Sequence, residues 1–153
     1  MMKSKRQSPK TLRTDARALL AGCAGWNSRF AARRITQFLD AALAESGLST
    51  AQLGLLALIA VIDDDTLGAL ARRAGLEQST LSRNLRTLEE AGLIEIAAVE
   101  ADLRRRAVWL TETGARRLEA ALPFWRKAQT RLGQHLPSRL PQRLAEASER
   151  LAD

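Results

Sequence analysis

The chain has 153 residues, about one domain's length and enough for a hydrophobic core of its own. Hydrophobic residues are 46% and charged residues 27%, which excludes a disordered chain, and a formal net charge of +7 points to an acidic partner such as nucleic acid or anionic lipid. One cysteine and one histidine exclude an internal disulfide and the usual zinc ligand sets.

The first ten residues, MMKSKRQSPK, carry four cations and no apolar pattern, and they read as a flexible basic arm over 1–10. No apolar stretch follows of the kind a signal peptide needs. Apolar residues then recur every three or four positions from Leu19 to Leu43, which predicts a long helix over 12–45 closed by Gly47. Ser49 and Gln52 form a capping-box pattern opening a second helix to about Val61. Its apolar run, residues 53–62, is far short of the ~20 residues of a membrane span, so a buried core helix is expected.

A short helix over 67–74 ends at Gly75, and another over 78–91 ends at Gly92. Strand-like stretches follow at 93–99 and 107–110, joined by the charged EADLRRR, which predicts a hairpin. Thr111 should cap a long helix over 112–135 that Pro123 kinks or interrupts. A last amphipathic helix carries Leu140, Leu144, Ala147 and Leu151. The expected fold is mainly α with a small β-hairpin.

Residues 66–94 carry the clearest functional signal. Two helices meet at the Gly75-Leu76 turn, as in a helix-turn-helix, whose second helix needs one apolar and one polar face. At 100° per residue Leu81, Leu85 and Leu88 line one side. Ser79, Arg83, Arg86 and Thr87 fall opposite, with Gln78 and Thr80 near the helix start, a donor- and acceptor-rich set suited to base edges and phosphates. The stripe alone favours a helix in an ordinary bundle; the glycine turn and the following hairpin reverse this in favour of DNA binding.

LARRAGLEQSTLSRNLRTLEEAGLI followed by DLRRRAVWLTETG resembles the MarR family of winged helix-turn-helix transcription factors over about residues 20–135, most closely between 66 and 114. The most specific element is Asp102-x-Arg104 followed by Leu110-Thr111-x-x-Gly114. The resemblance implies that Arg104 enters the minor groove, oriented by Asp102, with Arg105 and Arg106 on phosphates. Ile96 stands where many members carry an arginine in the first wing strand. The family pattern further implies an N-terminal dimerisation helix within 11–48, a winged helix-turn-helix DNA-binding domain over 49–111 and C-terminal dimerisation helices over 112–153.

The expected function is therefore that of a homodimeric, sequence-specific transcriptional regulator, a repressor by family habit, on a roughly palindromic duplex operator. The alternative is a winged-helix protein-interaction module without DNA binding. A small aromatic or amphiphilic effector would meet Trp26, Phe30 and Arg33; the plainer reading is that the two aromatics are simply core. Cys23 is a candidate oxidant sensor or an inert thiol; the tyrosines that assist such a cysteine in one branch of the family are absent. No cofactor, metal, membrane partner or enzymatic activity is expected, and the expected location is the cytoplasm.

Overall fold

The computed structural model describes residues 9–63, 66–99 and 102–151, without the side chains of Pro9, Asp102, Leu103 and Arg104. The chain divides into two compact units, Met1–Phe38 and Leu39–Asp153. Most of the expected arm, residues 1–8, lies outside the described residues; its last two residues already belong to a helix.

The first unit holds α1 (Pro9–Gly22) and most of α2 (Ala24–Leu43). The single helix expected over 12–45 is interrupted at Cys23. Gly22 and Gly25 flank the break, where helix propensity is low. Asn27 holds it open: its Nδ2 donates to the carbonyls of Leu20 (3.1 Å), Ala21 (3.3 Å) and Cys23 (2.9 Å). The Trp26 N–H donates to Cys23 Sγ at 3.4 Å, so the thiol occupies a capping position. Leu12, Leu19, Leu20, Trp26 and Phe30 all remain exposed.

The second unit begins within α2, whose Leu39 and Leu43 are buried, and continues through a 3₁₀ turn (Ala44–Ser46). The predicted capping box forms: Ser49 Oγ accepts from Gln52 N, and Gln52 Oε1 accepts from Ser49 N. Asp40 Oδ1 accepts the Thr50 N–H at 2.6 Å, which ties the start of α3 (Thr50–Val61) to the end of α2. Then follow α4 (Leu67–Ala74), α5 (Gln78–Glu90), β1 (Ile94–Val99), β2 (Asp102–Leu110), α6 (Glu112–Leu132) and α7 (Leu140–Ser148), with a 3₁₀ turn at Glu149–Leu151. One core joins the elements from the end of α2 to α6; Leu43, Leu56, Leu70, Leu81, Leu85, Leu88, Ile94 and Val108 are its largest fully buried side chains. Among the described residues no single helix is long and apolar enough to cross a membrane.

Two expectations change here. The second strand starts at Asp102, not 107, because backbone pairing with β1 continues past the apolar residues into the arginine run. Helix α6 passes through Pro123 without interruption and ends at Leu132, before Gly133. Pro123 is exposed, so the helix bond its ring forfeits is lost on the solvent side.

The passage from hairpin to α6 is the most constrained joint. Thr111 Oγ1 donates to the Gly92 carbonyl at 2.7 Å and accepts the Gly114 N–H at 3.0 Å, while the Thr111 N–H donates to the Leu93 carbonyl at 3.1 Å. A Cβ on buried Gly114 would stand 1.9 Å from that same Leu93 oxygen. This gives Thr-x-x-Gly its physical meaning: the threonine caps the helix and the glycine lets it lie on the turn.

Gly114→Ala should therefore destabilise the protein by about 2–4 kcal/mol in denaturant titration, since the clashing atom is backbone. Gly54→Ala, at an exposed α3 position with open space around the new methyl group, should stabilise by about 0.5–1 kcal/mol in the same assay.

Candidate nucleic-acid interface

Helix α4 is capped by Thr66, whose Oγ1 accepts the Ala69 N–H at 3.3 Å. Thr66 also forms an isolated antiparallel bridge with Ala107, so the start of the helix pair is stitched to the hairpin. Gly75 ends α4 in the left-handed conformation (φ +62°), and its N–H and that of Leu76 close the turn on carbonyls of the last helical turn. Helix α5 begins three residues after this glycine.

Burial decides which way α5 faces. Leu81, Leu85 and Leu88 are at most 1% exposed. Gln78, Ser79, Arg83, Arg86 and Thr87 are exposed and Thr80 is half-buried, as the periodicity predicts. Among the described residues, the outward side chains bond within their own helix. Arg83 Nε donates to the Ser79 carbonyl (3.4 Å), Thr87 Oγ1 donates to the Arg83 carbonyl (3.3 Å), and Arg86 Nε lies 3.7 Å from Glu90 Oε1 with both side chains mostly in water. Such exposed bonds are worth little and are readily exchanged for those of a ligand.

The hairpin pairs Ile94 with Leu110, Ile96 with Val108 and Ala98 with Arg106, but Val99 pairs with Asp102. Residues 103–105 are thus accommodated in an irregularity of the ladder. This corrects the view of the three arginines as one charged loop. Arg104 and Arg105 sit in the irregular stretch; Arg106, opposite Ala98, forms the last regular pair before it. The Asp102 and Arg104 side chains lie outside the described residues, and Arg105 is exposed. Arg106 shares a hollow of about 180 Å³ with Ser82, Arg86 and Glu89 of α5, so two guanidinium groups flank one side of the outward ridge. Ile96 is half-buried against the core, and this face of the first strand is used for packing. On the opposite face Trp109 Nε1 donates to Glu95 Oε2 at 3.0 Å.

A second hollow, of about 140 Å³, lies on the other flank of α5 between Asn84, Thr87 and the first turn of α3 at Ser49, Ala51 and Gln52. Sequence reasoning missed Asn84 and Gln52. Asn84 lies about 140° around the helix from Ser79, an angle the periodicity contains; the juxtaposition with Gln52, 32 positions earlier, depends on folding.

The remaining candidates belong to the N-terminal unit. Cys23 is half-buried, and Trp26, Phe30 and Arg33 are exposed. It is Arg34, not Arg33, whose guanidinium stacks on Phe30, 5.4 Å from the ring centroid.

Residues 46–105, which span the helix pair and the start of the hairpin, match the model of the MarR family. Among solved structures, the M. tuberculosis transcriptional regulator MosR in complex with DNA is 34% identical, with 85% of this chain and 96% of that chain covered and a TM-score of 0.77. A second structure of M. tuberculosis MosR gives 31% identity, coverage of 87% and 98%, and a TM-score of 0.75. MepR of S. aureus bound to DNA, at 22% identity, coverage of 84% and 96% and a TM-score of 0.69, is similar in fold. A search of curated proteins found no match. A helix pair locked to a hairpin, the family match and a 34% identical relative matched over 96% of its chain lead to one conclusion: the chain belongs to the MarR family of winged-helix transcriptional regulators.

Proposed function

We propose that this regulator binds a roughly palindromic duplex DNA operator as a homodimer, acting as a repressor and not as an enzyme. The observation that carries this reading is the outward ridge of α5, where Ser79, Arg83, Arg86 and Thr87 stand exposed on a helix whose opposite side is fully buried. A rigid helix of this kind fits the major groove, and its hydroxyl and guanidinium groups match base edges and phosphates. Arg104, oriented by Asp102, is assigned to the adjacent minor groove, where negative potential is concentrated. Arg105 and Arg106 are assigned to phosphates, and the place of Arg106 beside Arg86 suits the backbone bordering the major groove. The 34% identical MosR, crystallised with DNA, supports this reading.

Dimerisation is supported by uncovered apolar surface at both ends of the chain. Leu19 and Leu20 are 62% and 44% exposed on α1, and Leu140 and Leu144 are 43% and 51% exposed on α7. A short helix with no apolar cover is marginal in water, and a second copy supplies cover by symmetry. Release from DNA is assigned to a small aromatic or amphiphilic effector at Trp26, Phe30 and Arg33, or to oxidation of Cys23. The working compartment is the cytoplasm, where the operator is.

The direct test is selection of bound duplexes from random DNA by the full-length protein. Two related half-sites with fixed spacing, bound with an affinity that falls steeply with salt, are expected; binding that is absent or insensitive to salt favours a protein-interaction module instead. On the selected duplex Arg104→Ala should weaken binding and flatten the salt dependence. Ser79→Ala and Arg83→Ala should relax base preference at the contacted positions by about 1–3 kcal/mol. Thermal or chemical unfolding separates contact from fold: Arg83→Ala should stay within about 0.5 kcal/mol of the parent, whereas Leu85→Ala should lose about 2–5 kcal/mol. Sedimentation velocity should show a dimer that Leu144→Glu dissociates.

A further inference from the structure

Two hollows lie on either flank of α5, beside its outward ridge. Arg86 and Arg106 mark one of them. The other, between α5 and α3, carries no cation: its polar lining is Ser49, Gln52, Asn84 and Thr87. Two of the first N–H groups of α3 are already engaged: Thr50 N donates to Asp40 Oδ1 and Gln52 N donates to Ser49 Oγ. The donors left include the Ala51 N–H and the side-chain amides. Gln52 Oε1 is fixed by the Ser49 N–H at 2.9 Å, so the capping box also orients the Gln52 Nε2 group. No hydrogen bond among the described residues engages that nitrogen or the half-buried Asn84 carboxamide. Asp40, the nearest acid in this network, does not line the hollow.

We infer that the Gln52 and Asn84 amides form a neutral seat for one phosphate of the DNA backbone, on the flank of α5 opposite the arginine pair. The inference rests on the proposed binding of duplex DNA and deepens it. One strand is held by guanidinium groups and the other by oriented amides, so α5 is registered in the groove from both sides. Phosphate contacts of this kind set position without reading sequence. An uncharged seat contributes little to counterion release, which separates it experimentally from the arginine side. Holding the Gln52 amide in place through the capping box removes most of the rotamer cost of forming the contact.

The test uses the full-length protein and duplexes obtained by the selection described above. Asn84→Ala should weaken binding about tenfold for the dimer, by a similar factor on the selected duplex and on a scrambled one, with an unchanged slope of affinity against salt. Asn84→Glu should weaken it further by placing a carboxylate against the phosphate. Asn84→Ser, which keeps a hydroxyl donor, should recover part of the loss. Arg106→Gln should reduce the salt slope by about 0.9 for each phosphate contact removed. Unfolding midpoints confirm that each variant is folded. Parental affinity for Asn84→Ala and Asn84→Glu, with Arg83→Ala still impaired, overturns the seat and leaves DNA binding intact. A change of base preference in Asn84→Ala overturns the phosphate assignment in favour of base reading. Failure of the parent to select any duplex overturns the underlying function.

Discussion

Burial of Leu81, Leu85 and Leu88 is the constraint on which the candidate interface depends. Successive residues of a helix lie 100° apart, so these three leucines leave α5 no freedom to rotate without bringing a polar residue into the core. The ridge of Ser79, Arg83, Arg86 and Thr87 is therefore held outward by apolar packing, not by its own weak surface bonds. Ile94 and Val108 of the hairpin belong to the same cluster, as do Leu56 of α3 and Leu70 of α4. Helix and hairpin keep their relative positions because they share one core.

The joint at Leu93 carries that geometry into α6. A single carbonyl receives the Thr111 N–H and is overlain by Gly114, while the Thr111 hydroxyl bridges the Gly92 carbonyl and the helix start. The end of α5, the first strand, the last strand and the long helix thus meet within a few residues. This explains why Leu-Thr-x-x-Gly is an informative stretch of sequence: each residue type meets a separate local demand of packing, capping or close approach.

Much of this organisation was legible because it is local. The Ser49–Gln52 capping box, the threonine cap at Thr111 and the left-handed glycines at 47, 75 and 92 depend on a few consecutive residues. The leucine stripe of α5 is likewise a property of one helix. The misreadings concern partners distant in sequence or bonds that periodicity does not encode. The arginine run looked like a loop because it is charged, yet β2 includes it because Arg106 pairs with Ala98 and Asp102 with Val99, on either side of an irregularity that takes up residues 103–105. The three-to-four repeat continues across the break at Cys23; Gly22 and Gly25 mark a weak point there, but the break itself is held by an Asn27 side chain reaching back to three carbonyls.

Residue order alone determined the helix pair, its glycine turn, the polar face of α5 and the kinship with winged-helix regulators, because each is written within one or two turns of chain. Tertiary structure decided which cations stand together and what lies beside them. It separated Arg106 from Arg104 and placed it next to Arg86, and it brought Gln52 across to Asn84. The physical reason is that side-chain neighbourhood on a folded surface follows from how elements pack on a common core. That packing is a property of the whole set of buried residues and of no single segment.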